Sequence, residues 1–185
     1  MVLMWRMGLG RLVNAYPSVF GRIMVITHTG RNSSRKYRTP VNYAWMDGGT
    51  IICVAGFGSA SDWYRNMMAH PGVELWLPEG WRSGTFEEMD DIDTYARTRI
   101  MREVLINSGF AAYAAGIDPK RMSDAELAEA TRSYRLVRIL LTGRLTGKGG
   151  PGDLAWLWPF MIFVLLPLYV MLLRRCIRKM QADRF

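Results

Sequence analysis

The chain has 185 residues, half of them apolar, and its formal net charge at pH 7 is +8, so that one domain with a proper core and at most an appendage is predicted. Two cysteines and two distant histidines argue against a disulfide framework and against a metal site. Seven basic residues and no acid lie among the first 40 residues, which favours an anionic ligand or a membrane surface, and no signature of a nucleic-acid-binding module is present.

Turn signals and apolar runs divide the first third of the chain into one helix and three strands. Residues 2–15 have the spacing of a short amphipathic helix, for which packing on the domain is favoured over lying on anionic lipid. Strands are predicted at 22–29, 39–46 and 50–55. The turn Asp47-Gly48-Gly49 joins the last two, because glycines accept the positive φ that a hairpin requires.

The middle of the chain is predicted to contain, in order, a helix at 60–69, strands at 73–77 and 81–88, helices at 91–107 and 123–133, and a last strand at 136–142. Pro71 ends the first of these helices, since proline cannot continue one. Ser123 and Glu126 have the spacing of a capping box. The stretch 110–122 is interpreted as a lid. Short strands with hairpin turns and few helices predict an antiparallel barrel or sheet with helices packed outside.

A basic stretch follows the first strand and reads, from Gly30 to Pro40, Gly-Arg-Asn-Ser-Ser-Arg-Lys-Tyr-Arg-Thr-Pro. We interpret it as a tight loop with four cations and two serine hydroxyls between two strands. Its amides, hydroxyls and guanidinium groups could converge on one anion, for which a phosphate is the best candidate. A solvated basic turn is the alternative, and it is the commoner meaning of a charge run taken alone.

A glycine-rich turn follows the third strand and leads into a short helix. The sequence Ala55-Gly56-Phe57-Gly58 comes first, then Trp63-x-x-Asn66, and then His70-Pro71-Gly72. The i, i+3 spacing places Trp63 and Asn66 on one face of the helix.

This ordered set of motifs resembles the deazaflavin-dependent nitroreductase family, whose members use the 8-hydroxy-5-deazaflavin coenzyme F420. That family typically shows Gly-Arg-Lys-Ser-Gly and Thr-Pro, then Ala-Ser-x-Gly-Gly, Trp-x-x-Asn-Leu and Asn-Pro. The likeness is good over residues 20–90. Asn32 stands where the family usually has Lys or Arg, Ser34 where it has Gly, and Tyr37 where it often has Arg. Gly56-Phe57-Gly58 replaces the usual glycine pair.

The resemblance implies a split β-barrel like that of flavin-binding oxidoreductases, an α+β fold that is mainly β. Such proteins are usually homodimers with the cofactor in a cleft near the subunit interface. The implied activity is hydride transfer from reduced F420 to a small or lipophilic acceptor of the quinone or nitro type. Such a protein needs to hold and orient its coenzyme and exclude water, which fits the lack of a visible catalytic triad.

The resemblance also implies a set of site residues. Those implied for the coenzyme are Arg31, Asn32, Ser33, Ser34, Arg38, Pro40, Ala55, Gly56, Phe57, Gly58, Trp63 and Asn66. Tyr113 and Tyr134 are implied on the substrate side, where a tyrosine orients the substrate or donates a proton. Core packing is an equal alternative for Trp63, and a buried tyrosine more often only satisfies a backbone carbonyl.

Two other functions remain open at this point. The same fold could bind FMN or haem instead of F420, since a phosphate loop does not distinguish FMN from a deazaflavin. The lack of a well-placed histidine disfavours haem. Alternatively, the chain is a non-enzymatic, membrane-tethered module that presents a cofactor or contacts anionic lipid through its basic ends.

The C-terminal part is predicted to be an appendage to a domain of residues 1–146. A glycine-rich linker at 147–153 precedes twenty residues without a charge, Leu154 to Leu173, and a basic tail at 174–185. As a helix, the uncharged run is about 30 Å long, the thickness of the hydrocarbon core. Aromatic side chains near its ends, Trp156, Trp158 and Tyr169, resemble interface anchors.

A membrane span is the favoured interpretation of this run. Because Pro159 and Pro167 interrupt it, a buried helix or a membrane-lying hairpin stays an alternative. The basic tail favours a cytoplasmic C-terminus, whereas the implied coenzyme places the catalytic domain in the cytoplasm. We therefore predict a membrane-associated protein with a cytoplasmic domain and leave the path of the tail open.

Overall fold

A computed structural model of the chain describes residues 1–182, and the side chains of residues 1–46 and 48–175 within that range. The helices are α1 (Val2–Arg6), α2 (Gly10–Val13), α3 (Pro17–Phe20), α4 (Asp62–Ala69), α5 (Thr94–Asn107), α6 (Phe110–Ala114), α7 (Asp124–Ala130) and α8 (Trp158–Ala182). The strands are β1 (Ile23–Thr29), β2 (Lys36–Met46), β3 (Thr50–Ala55), β4 (Gly72–Leu77), β5 (Gly80–Glu88) and β6 (Arg135–Arg144). Short 3₁₀ turns lie at 47–49, 58–60 and 155–157.

The six strands close into one barrel in the order β1-β2-β3-β6-β5-β4, with β4 paired back to β1. All six pairings are antiparallel. The turn between β2 and β3 uses Gly48 and Gly49 at φ values of 76° and 78°, as predicted. This architecture confirms the predicted split β-barrel with helices packed outside.

The alternation of side chains along the strands separates the barrel interior from its outer surface. On β3, Ile51 and Cys53 lie in the interior cluster, whereas Ile52 packs against the outer helices. Strand β1 is covered on both faces, because Ile26 points inward and Val25 lies under the N-terminal helix. Burial of both faces favours apolar residues at successive positions, as in Ile23 to Ile26, which explains why β1 was predictable.

Three helices cover the outer face of β2, β3 and β6 and form a second apolar cluster with them. Helix α5 begins at Thr94 and not at Asp91, because Asp93 is its N-cap and accepts hydrogen bonds from two backbone amides at 2.9 Å. Helix α7 begins with the predicted capping box of Ser123 and Glu126. The short helix α6 within the stretch 110–122 was not predicted.

The N-terminal segment forms two short helices, so the prediction of one helix over residues 2–15 is wrong. Gly8 has a φ of 81° and separates α1 from α2, because a left-handed residue cannot continue a right-handed helix. Trp5 is only 2% exposed and packs on Val25 and Trp76. The expectation that this segment packs on the domain is therefore confirmed.

Strand β2 begins at Lys36, three residues before its predicted start. Its first residues pair with the end of β1, in the register Lys36 to Thr29 and Thr39 to Ile26. The loop between the two strands is therefore residues 30–35 only. Two of the four cations assigned to the loop, Lys36 and Arg38, are strand residues instead.

The segment predicted as a glycine-rich linker contacts the N-terminal helix. The amide of Gly152 donates to the carbonyl of Trp5 at 2.9 Å. Asp153 accepts hydrogen bonds from the Arg6 guanidinium at 2.9 to 3.2 Å. This hydrogen bonding by Arg6 lowers the pKa of the Asp153 carboxyl below its ordinary value of 3.8. These hydrogen bonds hold the start of the C-terminal segment against α1.

Helix α8 carries the apolar run. The segment Ala155–Arg175 is long and apolar enough to cross a membrane, with a mean hydropathy of 2.2 and none of that apolar window buried in the described structure. Pro159 lies in its first turn, where a missing amide costs nothing, and Pro167 lies inside the helix. Part of the predicted basic tail, residues 183–185, lies outside the described residues.

Candidate active site

Two neighbouring cavities lie at the side of the barrel and share Trp63 as a common wall. The first has a volume of about 430 Å³, and most of its wall residues have polar side chains; its walls are His28, Gly30, Arg31, Asn32, Ser33, Tyr37, Thr39, Asp62, Trp63 and Asn66. The second has a volume of about 350 Å³ and is mainly apolar; its walls are Pro40, Val41, Asn42, Val54, Gly56, Phe57, Ser61, Trp63, Val104, Leu105, Ser108, Ala111, Ala112, Ala115 and Tyr134. We call them the polar cavity and the apolar cavity.

A chain of hydrogen bonds runs through the wall of the polar cavity. The Oδ1 atom of Asn66 accepts from the backbone amide of Arg31 at 3.1 Å and from its Nη1 at 3.0 Å. The Nδ2 atom of Asn66 lies 3.3 Å from Nδ1 of His28. On the other side of the ring, Nε2 of His28 lies 3.0 Å from the hydroxyl of Thr39. Residues from β1, β2, α4 and the basic loop are joined in this way.

Burial disfavours the charged form of His28. The residue is 3% exposed, and desolvation lowers the pKa of the imidazole below its ordinary value of 6.5. The ring of Tyr37 stacks on it with centroids 6.0 Å apart. A neutral imidazole accepts a hydrogen bond on one nitrogen and donates from the other.

Arg31 is the cation of the polar cavity, and it is already partly paired. Its Nη2 atom lies 3.0 Å from Oδ1 of Asp62, whose side chain is largely exposed. The basic loop is held in shape by the amide of Ser34, which donates to the carbonyl of Gly30 at 2.9 Å. Ser34 itself has a φ of 55°, in the left-handed region that favours glycine. This strain explains why a glycine would suit that position.

The glycine-rich turn contributes Gly56 and Phe57 to the wall of the apolar cavity. Gly58 has a φ of 55°, and a Cβ atom there would collide with the carbonyl oxygen of Ser133. A Cβ on Gly56 would lie in ordinary van der Waals contact with the Tyr134 ring, at 3.8 Å, so the backbone of Gly56 faces that ring without crowding. Phe57 is 86% exposed beside it.

The structure brings most of the implied residues to these two cavities. Arg31, Asn32, Ser33, Trp63 and Asn66 line the polar cavity, and Pro40, Gly56, Phe57, Trp63 and Tyr134 line the apolar one. Trp63 also packs against the barrel core, so both interpretations of this residue apply.

Five implied residues do not line either cavity. Ser34 and Gly58 shape the two loops, and Ala55 is buried at the end of β3. Tyr113 is 45% exposed on α6, whose alanines and not its tyrosine reach the apolar cavity. Arg38 lies on the outer face of the barrel, with its guanidinium 4.7 Å from the Trp76 ring centre and a hydrogen bond to the carbonyl of Gly149.

Sequence reasoning missed His28, Tyr37, Thr39 and Asp62 as wall residues of the polar cavity. His28 was judged by its lack of a neighbouring metal ligand. Its position in the sequence indicates more, because His28 is the one ionisable side chain in the strand just before the basic loop. Tyr37 was assigned to the loop and Thr39 to the start of the next strand. The sequence therefore did not indicate that both side chains lie on one face of the same strand.

The family comparison decides between the functions left open by the sequence. The model of the F420H(2)-dependent quinone reductase family matches residues 3–122, which is more than half of the chain. The chain belongs to this family. Members of the F420H(2)-dependent quinone reductase family are enzymes, so the protein is an F420-dependent oxidoreductase. The predicted enzyme class and coenzyme are confirmed.

Solved structures similar to this F420H(2)-dependent quinone reductase family member are distant. An F420-H2 dependent reductase (FDR-A) is 20% identical, with 64% of this chain and 93% of the other covered and a TM-score of 0.44. An FMN-binding protein related to pyridoxamine 5'-phosphate oxidase, from Nostoc punctiforme, is 14% identical over 74% and 79% of the two chains, with a TM-score of 0.44. HutZ, a haem storage protein from Vibrio cholerae, is 8% identical over 77% and 96%, with a TM-score of 0.46. No curated protein matches the chain.

Proposed function

We propose that this oxidoreductase reduces a lipophilic acceptor of the quinone type with F420, and that its active site is the pair of cavities joined at Trp63. The observation that carries the proposal is the shared wall between a polar cavity with a cation and an apolar cavity. F420 joins a planar deazaflavin ring to a phosphate and an acidic tail. A coenzyme with one anionic and one ring-shaped end fits two adjoining cavities of which one carries a cation and the other is more apolar.

The polar cavity fits the anionic end. Arg31, with Asn32 and Ser33 beside it, supplies a guanidinium, an amide and a hydroxyl from one short loop. Guanidinium groups bind phosphates by paired, charge-assisted hydrogen bonds. We propose that these three side chains hold the phosphate or the acidic tail of F420. Arg38 has no part in this proposal, because its side chain lies on the outer face of the barrel.

The region around Trp63 fits the ring end. Gly56 has no side chain to keep a flat ring away from the backbone, and Phe57, Trp63 and Tyr134 line the same cavity. When bound, reduced F420 supplies the hydride from its central ring. The protein's part is then to orient the ring and keep water away, and the aromatic side chains serve both purposes.

The apolar cavity fits the acceptor. Val54, Val104 and Leu105 form one side of it, and three alanines at 111, 112 and 115 form another. Such walls favour a ring with few polar groups. We propose that Tyr134, which lines this cavity, orients the acceptor or donates a proton to it. Tyr113 is proposed only as a residue at its outer rim.

The C-terminal helix supports a lipophilic acceptor. We propose that α8 inserts into the membrane and holds the barrel, residues 1–146, at the cytoplasmic surface. Quinones partition into lipid, so a tethered enzyme meets them at high local concentration. A homodimer, as in other split-barrel oxidoreductases, is proposed as the assembled form.

The first test is a fluorescence titration of the detergent-solubilised full chain with F420 and, in parallel, with FMN. We expect Arg31→Ala to weaken F420 binding by about tenfold or more, since hydrogen bonds to charged groups contribute about 1.5 to 3 kcal/mol. The matched control is Arg35→Ala, which removes a cation from the same loop that does not line the cavity. Equal losses in the two variants would show that only loop charge matters, and unchanged binding by Arg31→Ala would refute the site.

A second test addresses the acceptor. The full chain with reduced F420 is assayed with a long-chain quinone, a short-chain quinone and a nitroaromatic compound in the same detergent. We expect both quinones to be reduced faster than the nitroaromatic compound, because the walls of the apolar cavity favour a ring with few polar groups. A variant with Ala111→Asp, at an exposed position of the cavity wall, should lose quinone reduction while F420 binding stays within about threefold. Faster reduction of the nitroaromatic compound would contradict the proposed acceptor class.

A further inference from the structure

We infer that His28 is a positioning residue of the active site: as a hydrogen-bond acceptor it fixes the side-chain amide of Asn66, and the amide in turn fixes Arg31. This inference rests on the proposed role of Arg31 in coenzyme binding. His28 has no assigned role in that proposal, and it reaches Arg31 only through Asn66.

The orientation of the Asn66 amide follows from its partners. Both groups of Arg31 that contact it, the backbone amide and Nη1, can only donate hydrogen bonds. The atom facing them must therefore be the amide oxygen. The amide nitrogen then faces His28, 3.3 Å from its Nδ1 atom.

The protonation of His28 follows from the same geometry. An amide nitrogen only donates, so Nδ1 of His28 must carry no proton and accept the hydrogen bond. The single proton of the neutral ring is then on Nε2, which donates to the hydroxyl of Thr39 at 3.0 Å. One tautomer of His28 is thus coupled to one orientation of Asn66.

The alternative states of this network are costly for Arg31. If Nδ1 carried a proton, it would face the amide nitrogen of Asn66, and two donors would meet. Rotation of the Asn66 amide would relieve that contact, but its nitrogen would then face two donors of Arg31. At a wall where His28 and Asn66 are 3% and 6% exposed, water cannot easily replace the lost partners.

Two ion pairs lie on the elements next to His28. Arg31 is paired with Asp62 on the side of α4, and Lys36 of β2 is paired with Glu74 of β4 at 2.5 Å on the other side. The ring of Tyr37 stacks above. The two direct hydrogen bonds to Asn66 and Thr39 therefore set the tautomer of His28.

The tautomer is measured first, on the coenzyme-free full chain in detergent, by a long-range ¹H–¹⁵N correlation spectrum of the imidazole rings at about pH 8. The chain has only two histidines, and the exposed His70 serves as the internal reference. A proton on Nε2 and none on Nδ1 of His28 supports the inference. A proton on Nδ1 overturns it, and this result does not depend on coenzyme binding.

The second measurement is a double-mutant cycle on F420 affinity. We expect His28→Leu to weaken binding about tenfold in the unchanged chain and less than about twofold in the Arg31→Ala chain, because the effect passes through Arg31. His28→Asn, which keeps an acceptor near the position of Nδ1, should restore affinity to within about threefold. Additive losses, or an Asn variant as weak as the Leu variant, overturn the inference.

The outcomes separate this inference from the proposed function. If Arg31→Ala binds F420 normally, the proposed coenzyme site fails, and the tautomer spectrum alone decides the role of His28 in fixing Asn66. If Arg31→Ala weakens binding but His28→Leu has no effect, the site stands and the positioning role fails. Should His28→Leu not fold, the spectrum of the unchanged chain still decides.

Discussion

Asp62 limits how strongly Arg31 can attract an anion, because its carboxylate already lies 3.0 Å from one guanidinium nitrogen. An incoming phosphate must compete with it and also approaches its negative charge. At the same time Asp62 lies in the first turn of α4, where an acid stabilises the helix. Asp62 is therefore expected to weaken anion binding by Arg31 and to stabilise helix α4.

We expect Asp62→Asn to raise F420 affinity about two- to fivefold, the range that corresponds to an exposed ion pair. Titration of the full chain by fluorescence checks this. Asp124→Asn is the matched control, since Asp124 also begins a helix and also pairs with an arginine, Arg102, but lies outside both cavities. A gain of the same size in the control would mean that net charge, not release of Arg31, causes the effect.

The buried His28 also makes stability depend on pH. Its pKa is lowered in the folded protein, so the unfolded chain, with a pKa near 6.5, takes up the proton first as the pH falls. The free energy of unfolding should thus decrease below about pH 6.5 and level off below the folded pKa, with about 1.4 kcal/mol lost for each unit between the two pKa values.

Urea unfolding of the full chain, followed by tryptophan fluorescence from about pH 5 to 8, measures this slope. His28→Asn removes the titrating ring and leaves His70 in place, so the difference between the two curves belongs to His28. Parallel curves for the two proteins over this range would contradict the prediction. The range stays above the pH at which most carboxylates titrate.

At the scale of the element, the strands buried on both faces were predictable and the polar strand start was not. The run before the basic loop begins with four successive apolar residues, 23–26, and β1 lies within one residue of its predicted range. Lys36 to Pro40 has no apolar alternation, because most of its side chains are exposed. Only the pairing with β1, a contact between separate strands, makes it part of β2.

The same limit applies to the candidate site. Motif order placed Arg31, Trp63 and Asn66 together, and the structure agrees. It also grouped Arg38 with them, but strand alternation turns Arg38 to the face opposite Thr39. His28 was not predicted as a site residue, because its partner Asn66 lies 38 residues away in the sequence.

At the scale of the whole molecule, the contacts between α1 and the start of the C-terminal segment bear on the predicted end of the barrel domain. Besides the ion pair of Arg6 with Asp153, the amides of Gly152 and Leu154 donate to carbonyls of α1 at 2.9 Å. Gly150 packs so closely on Trp81 that a Cβ atom would lie 2.6 Å from its ring. These contacts involve residues beyond 146, and we expect from them that the folding unit extends past the predicted boundary toward α8.

We therefore expect a chain ending at Leu157 to fold, to bind F420 and to stay in solution without detergent, because it keeps these contacts and loses the apolar helix. A chain ending at Thr146 loses two backbone hydrogen bonds of about 1 kcal/mol each, together with the ion pair. Its melting temperature should be lower by roughly 5 °C or more. Thermal melts of these two truncated chains measure the difference. Equal melting temperatures would place the boundary at residue 146.

Sedimentation with lipid vesicles compares the chain ending at Leu157 with the full chain. Equally strong vesicle binding by the two chains would show that α8 is not the membrane anchor.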